Sequence, residues 1–368
     1  MRSSAAGGRT FAWRAGNRTN IWFPALTLRQ VGHEAGSGTR QQRGTLEMIR
    51  KYGVRKYGVL AVTAGLLTLG LAAAVAPAAV AGPKVPAAYS FRKIDNRGDS
   101  SFNQLLAINS SGRIAGYFGS GVHGHPNKGY LVSRPYGRGA FKAVNFPGSA
   151  QTQVTGINDK GVAVGFFSRT NKANPSRNAD VGFYLKGGRF HQVRFPTGNV
   201  SSPPVNQLTG INNAGMAVGF FLDALGQAHA YRYNTSNHKF GMLSIKGSGN
   251  ATATSISAGG SIAGFFINSS GREVGFLRRP NGQITTISRP GADLTQAFGV
   301  NKAGMVVGAY TTSSSTFGFT WQAGRGFRTV NDPNGVGSTI INGVNNAGEL
   351  VGFYTDRNGN TNGLLAIP

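Results

Sequence analysis

Few residues of this chain stand in a pattern that could do chemistry. There is no cysteine among its 368 residues, which excludes thiol chemistry and Cys-ligated zinc. Beyond residue 81 there is no Gly-x-Ser-x-Gly elbow and no Walker-type loop. His123-Gly124-His125 puts two imidazoles on one loop, but no acid or third His lies near it in sequence, so a solvated loop fits better than half a metal site. Asp356, Asn358 and Asn360 are spaced like calcium ligands, yet Gly359 comes fourth where a calcium loop needs it sixth, and a hairpin turn explains the segment. His229 falls within an apolar run and reads as structural. No metal and no cofactor is expected. A hydrolase would need two carboxylates across one opening, and only Asp293 and Asp332, from two separate linking segments, are candidates.

What positions these residues is a repeat. After residue 88 one phrase recurs six times: Asn or Ser, two turn residues, Gly, three mostly apolar residues, and a second Gly. The copy from Asn158 to Gly165 is the clearest. Its first residues are Asn109, Asn158, Asn212, Ser257, Asn301 and Asn345, at spacings of 49, 54, 45, 44 and 44. Self-similarity at a period of roughly 40 to 50 residues marks a propeller or solenoid.

Each copy holds four short apolar runs bounded by turn residues. In the second they are Phe141–Phe146, Gln153–Asn158, Val162–Phe167 and Val181–Leu185. Six units of four strands predict an all-β, six-bladed β-propeller over 82–368. The Asn is placed to cap a bulged hairpin, and the first Gly to supply its positive φ. The link after Phe146 is too open for a hairpin and reads as the crossing between blades. That phase makes the Thr-Gly-Ile-Asn strands innermost, with Gly156, Gly210, Gly299 and Gly343 letting backbones converge at the axis. It also leaves Tyr89–Asp95 as an orphan outer strand and the last blade one strand short. The N-terminal strand is therefore expected to close the ring.

Two sets of residues are candidates for binding. Gln104, Gln153, Gln207 and Gln296 open inner strands, with Thr252 and Ile340 in the other two copies. Amides there could meet sugar hydroxyls at the channel mouth, or simply bond the crossing loops. The other set is basic. The formal charge is +26, and without residues 1–81 it is still +17. Seven acids (Asp99, Asp180, Asp223, Glu273, Asp293, Asp332 and Asp356) fall on the face of the crossing loops, with nine basic residues that include Lys172, Arg177 and Lys246. The strands and opposite turns keep the positive excess, with Asp95, Asp159 and Glu349 as their only acids. Arg278, Arg279, Arg325 and Arg328 are the candidate contacts to an anionic surface, such as an envelope polymer or glycan. No nucleic-acid motif is present, and no nucleic-acid partner is expected.

The segment before the repeats reads as a leader. Residues 48–81 contain a basic stretch, the apolar run Val59 to Val80, and Ala79-Val80-Ala81, in the order of a secretory signal peptide. The competing reading is an uncleaved anchor; after cleavage no stable membrane span is expected. Residues 1–47 read as an upstream extension from a misplaced start codon.

The phrase resembles the bacterial extracellular repeat family named HAF, whose repeats join a Gly-Ile-Asn-x-x-Gly-x-x-x-Gly stretch to a His-Ala-Phe strand. The first part stands at Gly156–Gly165 and Gly210–Gly219, and less fully at Ser255–Gly264. The tripeptide survives as His229-Ala230-Tyr231 and elsewhere becomes Gly182-Phe183 or Gly275-Phe276. The resemblance implies export, and no defined activity. The expectation is a secreted, non-enzymatic, monomeric scaffold or binding module of the bacterial cell envelope. The alternatives are a carbohydrate-active hydrolase or lyase on the same fold, and a structural matrix protein.

Overall fold

A turn of the form Asn-x-x-Gly, with Ser257 in place of Asn once, reverses the chain six times, and its geometry follows from two residues. In the clearest copy Asn158 Oδ1 accepts from the Lys160 N–H at 3.1 Å and the Val162 N–H at 2.9 Å. Gly161 takes φ +75°, which a side chain would strain. Two strands therefore leave each turn antiparallel. In the computed structural model these hairpins grow into a six-bladed propeller, described for residues 89–368 apart from 123, 171–178, 197, 246–247 and 314. The leader, the upstream extension, His123, Lys172, Arg177 and Lys246 lie outside the described residues.

The chain starts with β1 (Ser90–Lys93). Blade one holds β2 (Asn103–Ile108), β3 (Ile114–Phe118), β4 (Lys128–Val132) and β5 (Phe141–Ala143), and blade two β6 (Gln151–Ile157), β7 (Ala163–Ser168), β8 (Val181–Lys186) and β9 (Arg189–Val193). Blade three holds β10 (Asn206–Ile211), β11 (Met216–Leu222), β12 (Ala228–Asn234) and β13 (Phe240–Met242), and blade four β14 (Ala251–Ile256), β15 (Ile262–Ile267), β16 (Glu273–Arg278) and β17 (Ile284–Ile287). Blade five holds β18 (Leu294–Val300), β19 (Val306–Thr312), β20 (Ser315–Gln322) and β21 (Gly326–Val330). Blade six has three strands of its own, β22 (Thr339–Val344), β23 (Leu350–Thr355) and β24 (Thr361–Ile367).

The fourth strand of blade six is β1, which pairs with β24 from Ser90↔Ile367 to Lys93↔Leu364. The predicted closure is thus the one observed. It is reinforced beyond the ladder: Asp95 accepts from the Gly363 N–H at 2.7 Å and pairs with Lys93 at 3.1 Å. Closure removes the open sheet edge that would otherwise recruit other chains.

Packing lies between blades. One core cluster sits at each seam, as where Ala115 and Leu131 of blade one meet Val154, Phe167 and Phe183 of blade two. The seam joining blades six and one has its own cluster, with Val351 and Leu365 against Leu105 and Tyr130. Each large side chain buried there contributes roughly 1.5–3 kcal/mol.

Every inner strand carries a bulge at the same place, for example between Val154 and Gly156 or between Ala297 and Gly299. The bulge presses the inner backbone onto the neighbouring strand. A Cβ on Gly165 would overlap the Gln153 carbonyl oxygen, and the second Gly of every repeat meets the equivalent carbonyl. The inner strands also touch one another: a Cβ on Gly299 would lie 3.1 Å from the Gly343 Cα.

Candidate functional site

The inner strands surround an axial channel with two unlike ends. We call the end of the Asn turns the lower end and that of the inter-blade crossings the upper end. At the lower end the turn residues do two things. Each Asn caps its own hairpin through Oδ1, and its Nδ2 reaches the carbonyl of the same residue in the next blade. The bonds run Asn109 to Asn158 (3.2 Å), Asn158 to Asn212 (2.9 Å), Asn212 to Ser257 (3.5 Å), Asn301 to Asn345 (3.1 Å) and Asn345 to Asn109 (3.2 Å). Ser257 is too short to continue the belt to Asn301. Ser257→Asn is therefore expected to raise stability by about 0.5–1 kcal/mol, measured as a shift in denaturant midpoint.

One layer further in, the bulged residues form a second belt. Thr155 donates to the Leu208 carbonyl (2.7 Å), Thr209 to that of Ala253 (2.8 Å), Thr254 to that of Ala297 (2.9 Å), and Asn342 to that of Leu105 (2.9 Å). Leu106 and Phe298 interrupt it and put apolar side chains into the same ring. The space inside this ring is about 80 Å³, and the mouth framed by the Asn turns about 70 Å³. Ligand pockets usually measure roughly 300–1,000 Å³, so a sugar ring has no place inside the described lower channel. A single small polar group does.

Around this mouth the lower face is basic. The lower ends of the third and fourth strands and the connections between them carry Arg134 and Arg138 in blade one, Lys186 and Arg189 in blade two, Lys239 in blade three, Arg278 and Arg279 in blade four, and Arg325 in blade five. Arg113, Lys160 and Lys302 flank the Asn turns. Against these eleven stand Asp159 and Glu349. Both are engaged: Asp159 accepts from Ser110 and Asn213, and Glu349 pairs with Arg134 and accepts from Asn345 at 2.7 Å. Arg278, Arg279 and Arg325 belong to neighbouring blades of this face. Arg328 sits apart on β21, its guanidinium 5.4 Å from the Tyr89 ring centroid.

The upper end has the opposite character. Eight of the ten described acids lie there, including Asp95, which follows β1 at its upper end rather than belonging with the strands and lower turns. The glutamines thought to open on the channel turn elsewhere. Gln104, Gln153 and Gln207 are buried; Gln104 accepts from Tyr117 Oη at 2.9 Å, Gln153 donates to Asn127 at 2.9 Å, and Gln207 donates to Asp180 at 2.6 Å. Gln296, half-buried, bonds the Glu273 carboxyl in the same way. Gln153, Gln207 and Gln296 thus fasten the inner strand of one blade to the start of the third strand of the blade before it, whereas Gln104 bonds the second strand of its own blade. Sequence could not show this, because the partner lies some 26 residues away across a seam.

The two acids in these seams are chemically unusual. Burial pushes the Asp180 carboxyl up to about 7, against which the Gln207 hydrogen bond works only in part. Burial likewise raises Glu273 to about 7, partly offset by Gln296. Gln207 Oε1 and Glu273 Oε1 are buried without a hydrogen-bond partner. A protonated carboxyl fits such an environment, where a charge would be poorly solvated.

The remaining candidates serve turns. Asp356 caps the Asn358 and Asn360 N–H groups, both at 2.9 Å, as a hairpin turn requires. Asp293 accepts from the Ser313 N–H and Asp332 from the Asn334 N–H, each at 2.8 Å. His229 bonds Asp223 at 2.7 Å and His125 bonds Asp99 at 3.0 Å. Among the described residues no group of three or more His, Asp or Glu is placed to hold a metal ion, and no helix is long and apolar enough to cross a membrane.

No protein-family model matches the chain, and no curated protein matches it. Among solved structures it is similar to virginiamycin B lyase from Staphylococcus aureus, with TM-score 0.43 and 12% identity over 75% of this chain and 88% of that one. It is also similar to AofleA from Arthrobotrys oligospora, with TM-score 0.46 and 11% identity over 73% of this chain and 83% of that one. A gluconolactonase from Xanthomonas campestris gives TM-score 0.44 and 10% identity over 76% and 90%. At these identities no activity or ligand carries over to this chain.

Proposed function

We propose that this chain is an exported, non-catalytic propeller that holds an anionic polymer of the bacterial cell envelope against its lower face. One observation carries the reading: eleven basic residues lie on the lower face, and the two acids among them are already engaged. A field of one sign on a rigid face draws in polyanions and weakens as salt rises. The leader-like segment at 48–81 and the resemblance to HAF repeats support the extracellular setting. The ring supplies stiffness without disulfides, since the chain has no cysteine.

The test is retention of residues 82–368 on heparin and on immobilised wall polymer across a salt gradient. The wild type is expected to bind at low salt and elute as salt rises. Replacing Arg278, Arg279 and Arg325 by Gln is expected to weaken binding roughly tenfold, since each exposed contact contributes about 0.2–1 kcal/mol. Retention that persists to high salt, or that the triple variant leaves unchanged, would count against the proposal.

A further inference from the structure

The lower mouth contains a ring of hydrogen bonds with a gap in it. At three of the six blades the backbone N–H of the residue just after the turn Asn donates to the side chain of the same residue in the next blade. The Ser110 N–H donates to the Asp159 side chain at 2.7 Å, the Asp159 N–H to Asn213 at 2.9 Å, and the Lys302 N–H to Asn346 at 3.0 Å. This pattern needs an acceptor side chain in the next blade. Ala258 offers none, and Lys302 offers a cation. The N–H groups of Asn213 and Ala258, consecutive around the ring, therefore have no hydrogen-bond partner among the described residues. The Asn346 N–H is also unpaired, but it stands alone beside the Ser110 hydroxyl, which accepts from Asn346 Nδ2 at 3.3 Å. The gap coincides with the place where Ser257 breaks the Asn belt.

We infer that this gap, bounded by the N–H groups of Asn213 and Ala258 and by Lys302, whose side chain is exposed beside it, is a binding notch for one oxyanion, a carboxylate or a sulfate group. All three residues line the mouth. The whole mouth to which the notch belongs measures about 70 Å³, room for an acidic group but not for the sugar that bears it. Adjacent backbone donors beside a cation are a recurrent means of anion capture. Asp159, the nearest acid, lies beyond Asn213 and is held by Ser110 Oγ at 3.1 Å and Asn213 Nδ2 at 2.7 Å, so its oxygens are turned into the ring. The notch rests on the polymer-binding proposal and deepens it: the rim arginines hold a polyanion, and a terminal or pendant acid group seats in the mouth.

The test titrates sodium acetate and sodium sulfate, separately and at fixed ionic strength, into ¹⁵N-labelled protein at pH 7. Saturable shifts are expected, largest at the Asn213 and Ala258 amides. A response to acetate alone would assign the notch to carboxylates, and one to sulfate alone to sulfate groups. Ala258→Asn adds the missing acceptor without changing charge. It is expected to weaken the response at least about tenfold while heparin retention stays as in the wild type. The Arg278/Arg279/Arg325 variant should do the reverse, losing retention and keeping the notch. Shifts spread evenly over the exposed basic residues, or shifts that survive Ala258→Asn in a folded protein, would overturn the notch. Notch binding without any retention on heparin or wall polymer would instead overturn the polymer reading alone.

Discussion

Replacing Asp180 by Asn and Glu273 by Gln is expected to stabilise the propeller at neutral pH and to remove most of its pH dependence above pH 4. Both carboxyls are raised by burial from ordinary values of 3.8 and 4.5 to about 7. Between those limits the folded chain keeps protons that the unfolded chain has released, so stability falls as pH rises. The contribution is whole below about pH 4, is lost progressively up to about pH 7, and changes little beyond. Asp99, Asp159, Asp223 and Asp356 are lowered instead, and they withdraw stability as pH falls below their ordinary 3.8. The wild type should therefore be most stable near pH 4 to 5. An amide at 180 has no charge to bury, and its NH₂ can serve the unpaired Gln207 oxygen. The gain at pH 7.5 is expected to be on the order of 2–4 kcal/mol, most of it from position 180, since a shift of one pKa unit corresponds to about 1.4 kcal/mol. Denaturant midpoints between pH 4 and pH 8 check this. A double variant whose midpoint falls with pH as steeply as the wild type would show that these seams do not hold the protons.

The seams also mark where sequence reasoning stopped. The hairpin at Asn158 was legible because its determinants are local: a side-chain oxygen reaches N–H groups two and four residues on, and a Gly takes positive φ. The blade phase was legible too, because Pro147 and Gly148 make the crossing distinguishable from a hairpin. The second role of Asn158, donation to Asn212, spans 54 residues and has no local signature. Gln153 and Gln207 were misplaced for the same reason. Alternation along an inner strand assigns a residue to one side of its sheet, but whether that side meets solvent or the next blade depends on the twist of the ring. Asp180 reads as a loop acid because it borders a polar segment, yet it is buried once its carbonyl accepts from the Asn206 N–H at 3.0 Å across the seam. The charge asymmetry was partly legible, since turn residues keep their positions whatever the blade packing does. The gap in the ring at Ala258 was not, since a missing acceptor means something only beside its five counterparts.

The repeated phrase has two glycines, and they should respond to substitution very differently. In blade five the first, Gly304, has φ +76° and open space where a Cβ would go, so Gly304→Ala meets only backbone strain, about 1–2 kcal/mol. Gly308 has no positive φ to satisfy. It lies under the inner strand, where a Cβ would overlap the Gln296 carbonyl oxygen and come within 2.9 Å of Phe319. Backbone on that side cannot move without undoing the bulge between Ala297 and Gly299, and with it the contact between Gly299 and the Gly343 backbone of the next blade. Gly308→Ala is therefore expected to cost about 3 kcal/mol or more, at or beyond the upper end of ordinary overpacking, and to lower the cooperativity of unfolding because it opens one seam of a closed ring. Paired denaturant melts of the two variants separate the mechanisms. Equal losses would mean that the spacing of the phrase reflects turn geometry alone; a much larger loss at Gly308 would mean that its second Gly is set by the inner-strand bulge, and that blades built on this phrase must carry both.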